Sequence, residues 1–152
     1  MKTAIVVLDN IRSVENTASI FRTAESLGVA KIILVGTTPA PLDRFGRKRK
    51  DFAKVSLGAE DMVEWEFAKE IKPVIENLKS DGFQIVALEQ DERGAEFKIS
   101  DSFALILGNE VDGVSKEALG LADKIYEIPM KGKKESLNVS VAAGIALHEL
   151  LK

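Results

Sequence analysis

Cysteine is absent from this chain of 152 residues, and histidine occurs once, at His148. Without a thiol there is no disulfide framework and no thiolate metal site, and nothing argues for an oxidising compartment. A single imidazole poorly supports a histidine zinc site or a Ser-His-Asp relay, so no metal site is expected. His148 lies in a largely apolar C-terminal segment and is expected as a packed structural residue. Long hydrophobic runs are missing too: no stretch of about 18 apolar residues is present to cross a bilayer, and no membrane partner is expected. The first residues, MKTAIVVLDNIRS, combine a lysine with a short apolar run. Asp9, Asn10 and Arg12 break that run before any secretory cleavage pattern develops, so it reads as a strand and the cytoplasm is the expected compartment. The glycine signatures of nucleotide binding are likewise absent. DNIRSVEN stands where GxGxxG would follow the first strand, and GxxxxGK[ST] occurs nowhere, which argues against a dinucleotide fold or a P-loop NTPase.

What is present is the composition of an ordinary globular domain, with 45% apolar and 30% charged residues. The length suits one domain over residues 1–152. Short β-branched runs recur as TAIVVL from Thr3, KIILVG from Lys31, FQIVAL from Phe83, FALIL from Phe103 and KIYEI from Lys124. Their near-continuous apolarity predicts strands covered on both faces, which means a mostly parallel sheet flanked by helices, an α/β fold. Residues 14–27 carry apolar side chains at Val14, Ala18, Phe21 and Ala24, with Gly28 placed to end the helix. A second helix is expected over 68–79 despite Pro73, before the Asp81-Gly82 turn. Residues 37–50 form the longest irregular piece, and loops of that length are often functional. The last helix, 138–151, is apolar almost all the way round and needs cover on two sides. Its own sheet is one cover; the second is either a partner subunit or the rest of a monomer in which the helix is central.

Ligands in α/β sheets bind beyond the carboxyl ends of the strands, so the segments that follow the strands are the places to search. After FALIL comes GNEVDGVS, with Gly108, Glu110 and Ser115; alone it is a turn with an N-cap for a helix starting at Lys116. After KIYEI comes PMKGKKESLNVS, where Ser136 and Asn138 stand at the entrance to the last helix and Asn138 alone passes as its cap. In the first helix, Arg22 shares a face with Glu15, Ser19, Glu25 and Ser26; alone it is a solvated arginine paired at i+3.

Taken together, N-x(5)-R-T-A from Asn16, G-N-E-x-x-G-V-S from Gly108 and I-P-M-x(5)-S-L-N-V-S from Ile128 resemble the three ordered motifs of the SpoU (TrmH) family of RNA ribose 2′-O-methyltransferases, in the SPOUT superfamily. The resemblance spans almost the whole chain. It implies S-adenosyl-L-methionine as methyl donor, RNA (tRNA or rRNA) as substrate, a homodimer, and a C-terminal deep trefoil knot, which general topology rules would not suggest. It also implies a minimal version without an additional RNA-binding domain. Residue by residue, it carries over Arg22 as catalytic, with Glu110, Asn138 and Asn16 orienting groups or touching RNA. Leu88, Gly108, Ile128, Met130, Ser136 and Leu137 become cofactor-binding, and Arg22 acts across the dimer interface. Ala18 stands where the family usually has glycine, and its methyl takes room from backbone or RNA approach. The alternatives are a non-catalytic RNA-binding or ribosome-assembly protein that keeps the fold, and a small-molecule-binding domain with GNEVDGVS as anion loop, which explains only one motif.

Charge is unevenly placed. The net charge is -3, yet residues 44–54, RFGRKRKDFAK, hold six cations and one acid, so the remainder carries -8. By itself this is a solvated loop. Beside motifs that imply RNA, Arg44, Arg47, Lys48, Arg49 and Lys50 become candidate phosphate contacts, which position RNA without reading its bases.

Overall fold

The computed structural model describes residues 2–134 and 136–152. Seven strands form one sheet: β1 (Ala4–Asp9), β2 (Lys31–Val35), β3 (Glu64–Ala68), β4 (Gln84–Leu88), β5 (Gly94–Ala95), β6 (Phe103–Gly108) and β7 (Lys124–Tyr126), in the order β3-β2-β1-β6-β4-β7-β5. Every pairing is parallel. Among the described residues four α-helices lie between strands, α1 (Val14–Ser26), α2 (Lys50–Ser56), α3 (Ile71–Ser80) and α4 (Lys116–Leu121), and a fifth, α5 (Val139–Leu150), follows β7.

The unbroken apolarity of the strands has a direct cause. Side chains alternate between faces along a strand, and both faces are covered here. Val6 and Leu8 of β1, Ile32 and Leu34 of β2, and Leu105 and Leu107 of β6 share one core with Phe21 of α1, Phe52 of α2 and Leu147 of α5. Val7, Ile33 and Ile106 point the other way, into a second core with Val74 and Ile75 of α3 and Ala118 of α4. Helix α1 starts where Ser13 accepts a hydrogen bond from the Asn16 N–H and ends before Gly28 in the left-handed region at φ 75°.

Four expectations are revised. The helix expected from residue 68 begins at Ile71, because residues 64–68 pair with β2 as the edge strand β3. Pro73 then sits in the first helical turn, where its missing N–H costs nothing. The irregular segment stops short of residue 50, since Lys50 opens α2, a helix of 7 residues whose Phe52 meets Phe21 edge to face at 5.1 Å. The KIYEI strand is cut to Lys124–Tyr126. His148 is exposed rather than packed, because α5 buries Ala143, Ala146, Leu147 and Leu150 and leaves the face of Val141, Ile145 and His148 uncovered. Within one chain α5 is therefore not central: Val141 is 52% and Ile145 is 40% exposed.

Candidate active site

The carboxyl ends of β4, β6 and β7 open into a cleft of about 730 Å³. Leu88 ends β4, Gly108 ends β6, and Ile128 and Met130 follow β7; all four line it, with Ser136, Leu137 and Asn138 closing the side toward α5. All six residues expected at a cofactor pocket are thus brought together. Apolar walls come from Leu107, Ile128, Val139 and Ala142, and the carboxylates Glu89, Asp91, Glu110 and Asp112 give the lining an acidic character against one cation, Lys116.

Glycine is required at two points of the β6 loop. A Cβ on Gly108 would collide with backbone atoms of Gly113 and Val114, so the chain passes itself here at a distance that only glycine permits. Gly113 has φ 73°, and a Cβ there would strike the Glu89 carboxylate, which accepts the Val114 N–H at 2.9 Å. The loop is further tied to the end of β1. Buried Asp9 accepts the Ser115 N–H at 2.9 Å, and the Asn109 amide donates to the Asn10 carbonyl at 2.9 Å. Ser115 caps α4, as its place before Lys116 predicts.

Three residues from three distant segments meet at the rim. Glu110 accepts the Arg12 N–H at 2.9 Å on one oxygen, and the Ser13 N–H at 2.8 Å and the Asn16 amide at 3.1 Å on the other. Asn16 Oδ1 accepts from the Asn138 amide at 3.2 Å, and Asn138 Oδ1 accepts the Ser140 N–H at 2.9 Å. The direction of this chain is set by its ends. A carboxylate can only accept and a backbone N–H can only donate, so both amides are fixed in orientation between them. Burial works against ionisation of Glu110, but the Arg12, Asn16 and Ser13 donors outweigh it and hold the carboxyl below its ordinary range. With both oxygens occupied and a lowered pKa, Glu110 is suited to clamp the start of α1 and not to collect a proton.

Arg22 is not part of this group. It lies six residues beyond Asn16 on α1, about 9 Å along the axis and about a third of a turn away. It lines a separate shallow groove with Ser19, Thr23, Ser26, Gly144 and His148. Among the described residues its guanidinium has no ion-pair partner; the i+3 pair with Glu25 does not form. Ala18 is fully buried in the core, so its methyl takes no room from an approaching RNA.

The basic segment is less bare than its sequence suggests. Arg47 pairs with Asp43 at 3.0 Å, Lys48 with Asp61 at 2.8 Å, and Arg49 with Asp51 at 2.9 Å. Arg44 and Lys50 have no carboxylate partner among the described residues. Such exposed pairs contribute little and exchange readily for another anion.

Asp9 and Glu89 carry no motif that marks them in the sequence; their one signal is position, at or just beyond the carboxyl end of an apolar strand, where a ligand cleft is expected. Asn109 stands inside the second motif, G-N-E-x-x-G-V-S, but the motif by itself assigns it no role.

The model of the SpoU rRNA Methylase family matches residues 3–148. A tRNA (guanosine(18)-2′-O)-methyltransferase of Aquifex aeolicus is 34% identical over 97% of this chain and 68% of its own length. A 23S rRNA (guanosine-2′-O-)-methyltransferase of Neisseria meningitidis is 31% identical over 95% of this chain and 56% of its own. The crystal structure of an AdoMet-bound rRNA methyltransferase of Sinorhizobium meliloti superposes with TM-score 0.86 at 28% identity, covering 97% of this chain and 55% of that one. The chain thus spans between about half and two thirds of the length of these relatives. The three ordered motifs meet at one cleft of a parallel sheet, and the family match covers nearly every residue that builds it: this chain belongs to the SpoU rRNA Methylase family.

Proposed function

We propose that this chain methylates a ribose 2′-hydroxyl of RNA, tRNA or rRNA, with S-adenosylmethionine as donor. The observation that carries the proposal is the convergence of Asn16, Glu110 and Asn138 from three motifs on the rim of a cleft at the strand ends. Family membership and the 2′-O-methyltransferase names of its relatives support it.

The cleft fits the donor by its chemistry: apolar walls suit an adenine ring, main chain near Leu88, Gly108, Ile128, Met130 and Leu137 with the Ser136 side chain suits its edges, and an excess of carboxylates suits a cation. Held at this cleft, S-adenosylmethionine would supply an electrophilic methyl group to the ribose oxygen and would leave as the neutral thioether, with the hydroxyl proton passing to water. The chain's own residues have the task of position and charge. Asn16 and Asn138, fixed between Glu110 and Ser140, orient the ribose at the rim. Arg22 stabilises the emerging alkoxide and the adjacent phosphate; as a base it is unsuitable, because a guanidinium holds its delocalised charge too firmly to give up a proton.

Arg22 faces away from its own cleft, which favours its use by a second subunit. The uncovered stripe of Val141 and Ile145 on α5 borders the same groove and supports a homodimer that would bring Arg22 to the partner's site. A C-terminal trefoil knot belongs to this reading. It is supported by β7, which inserts between the earlier strands β4 and β5, and by the close backbone crossing at Gly108. Residues 1–152 act in this reading as one catalytic domain in the cytoplasm.

Calorimetry with S-adenosylmethionine followed by methyl transfer to RNA lacking the modification tests the function. Arg22→Ala should bind the donor as wild type does and transfer no methyl group; wild-type transfer would remove Arg22 from the mechanism. Mixing it with Leu137→Glu, which places a charge on the cleft wall, should restore activity when subunits exchange. No recovery despite exchange would refute the shared site.

A further inference from the structure

We propose that Phe45, with Arg44 and Arg47, is a stacking platform for an unpaired nucleobase, so that the RNA engaged by the basic loop is single-stranded at that point. The proposal rests on the RNA-methylation reading and deepens it, because cations alone would grip phosphates of any strand.

Phe45 is 67% exposed in the middle of the most cationic segment of the chain, and it packs into no core. The Arg44 guanidinium lies 4.9 Å and the Arg47 guanidinium 5.1 Å from its ring centroid. The ring is held out by a built turn. Leu42 and Lys48 form an antiparallel bridge, the Asp43 N–H donates to the Arg47 carbonyl at 2.8 Å, and the Gly46 N–H donates to the Asp43 carbonyl at 3.0 Å. One Asp43 oxygen accepts the Phe45 N–H at 2.8 Å and the Arg47 N–H at 3.0 Å, while the other takes Arg47 Nε at 3.0 Å. Gly46, at φ 77°, supplies the left-handed residue the turn needs. The aromatic ring is therefore presented on a preorganised loop, at little further cost in entropy when a ligand arrives.

An exposed ring flanked by guanidinium groups offers flat π surfaces that accept any base, and a duplex keeps its bases stacked inside and unavailable. Arg47 is paired with Asp43, whereas Arg44 has no carboxylate partner among the described residues and is the readier of the two for the phosphate next to the stacked base. The charge distribution favours RNA over an anionic membrane. The remainder of the chain carries -8, which a narrow strand reaching one loop avoids and a broad anionic surface would meet.

The test uses the full chain and a short RNA carrying 2-aminopurine, as a single strand and in a duplex. Wild type should quench the single strand. Phe45→Ala should bind it about 5- to 150-fold more weakly, without quenching, and Phe45→Trp should recover both. The salt slope of single-strand binding should be unchanged in Phe45→Ala and shallower by about 0.7 in Arg44→Ser. Duplex binding and the thermal midpoint should be equal in wild type and Phe45→Ala. Undiminished single-strand binding by Phe45→Ala, or an equal loss on duplex, overturns the platform. So does a loss confined to phosphatidylserine vesicles, which would make the loop a membrane contact. If wild type transfers methyl to no RNA, the methylation reading falls while the quench still decides Phe45. If wild type transfers methyl with the same KM as Phe45→Ala, the platform alone falls.

Discussion

Glu110→Gln probes the link between the motifs most directly. The substitution preserves shape and replaces one carboxylate oxygen with an NH2 group. The carboxylate accepts three N–H donors, from Arg12, Ser13 and Asn16. A glutamine keeps its carbonyl for the side that serves two of them and turns its NH2 against the Arg12 N–H. One bond is lost to a donor–donor conflict, and the other two lose their charge assistance. Charge-assisted bonds contribute about 1.5–3 kcal/mol and neutral ones about 0.5–1.5 kcal/mol. Glu110 is exposed enough for water to replace part of the loss, so the expected cost is about 1–2 kcal/mol. The pH dependence has a definite sign. The folded-state carboxyl lies below its ordinary value of 4.5, so its contribution is complete above that pH and is lost as pH falls through the folded value. The gap between wild type and Glu110→Gln in urea unfolding should be full near about pH 7 and shrink below about pH 4. A gap below about 0.3 kcal/mol, or one that does not change with pH, would refute the clamp.

Gly108→Ala should cost about 3 kcal/mol or prevent folding, since its Cβ meets backbone, while Gly120→Ala, with nothing within 4 Å, should gain about 0.5–1 kcal/mol. Urea midpoints compare them, and a wild-type midpoint for Gly108→Ala would contradict the close crossing. Ile145→Glu places a charge on the uncovered stripe of α5 and should turn the proposed homodimer into monomers in sedimentation; a dimer that persists in the variant would refute this stripe as its interface. Replacing Arg47, Lys48, Arg49 and Lys50 with serine should weaken RNA binding and lower the log-log salt slope by about 0.7 to 0.9 for each phosphate that is no longer neutralised. An unchanged slope would exclude the segment from the RNA interface.

The strands of the central sheet were legible because burial on both faces removes polar residues from the sequence itself. β3 was not, since as an edge strand it exposes Glu64, Glu66 and Phe67 and half-buries Trp65. Nor was α2, whose one buried apolar side chain, Phe52, gives no periodicity to detect. The cap residues Ser13, Ser115 and Asn138 act through neighbours in sequence. Of these, Ser115 and Asn138 could be read directly.

By itself the sequence determined the α/β class, the ends of the first and last helices, the acidic chain with a basic loop, and the three motifs with their family resemblance. These are local or additive properties, set by propensity, burial pattern and charge. Only the tertiary structure decided that Glu110 reaches across 94 positions to Asn16, and Asn16 across 122 to Asn138. It also decided which face of the almost wholly apolar α5 is covered and that Arg22 looks away from the cleft of its own chain. Those outcomes depend on how the parallel crossovers bring distant strand ends together, and no short window of residues contains that information.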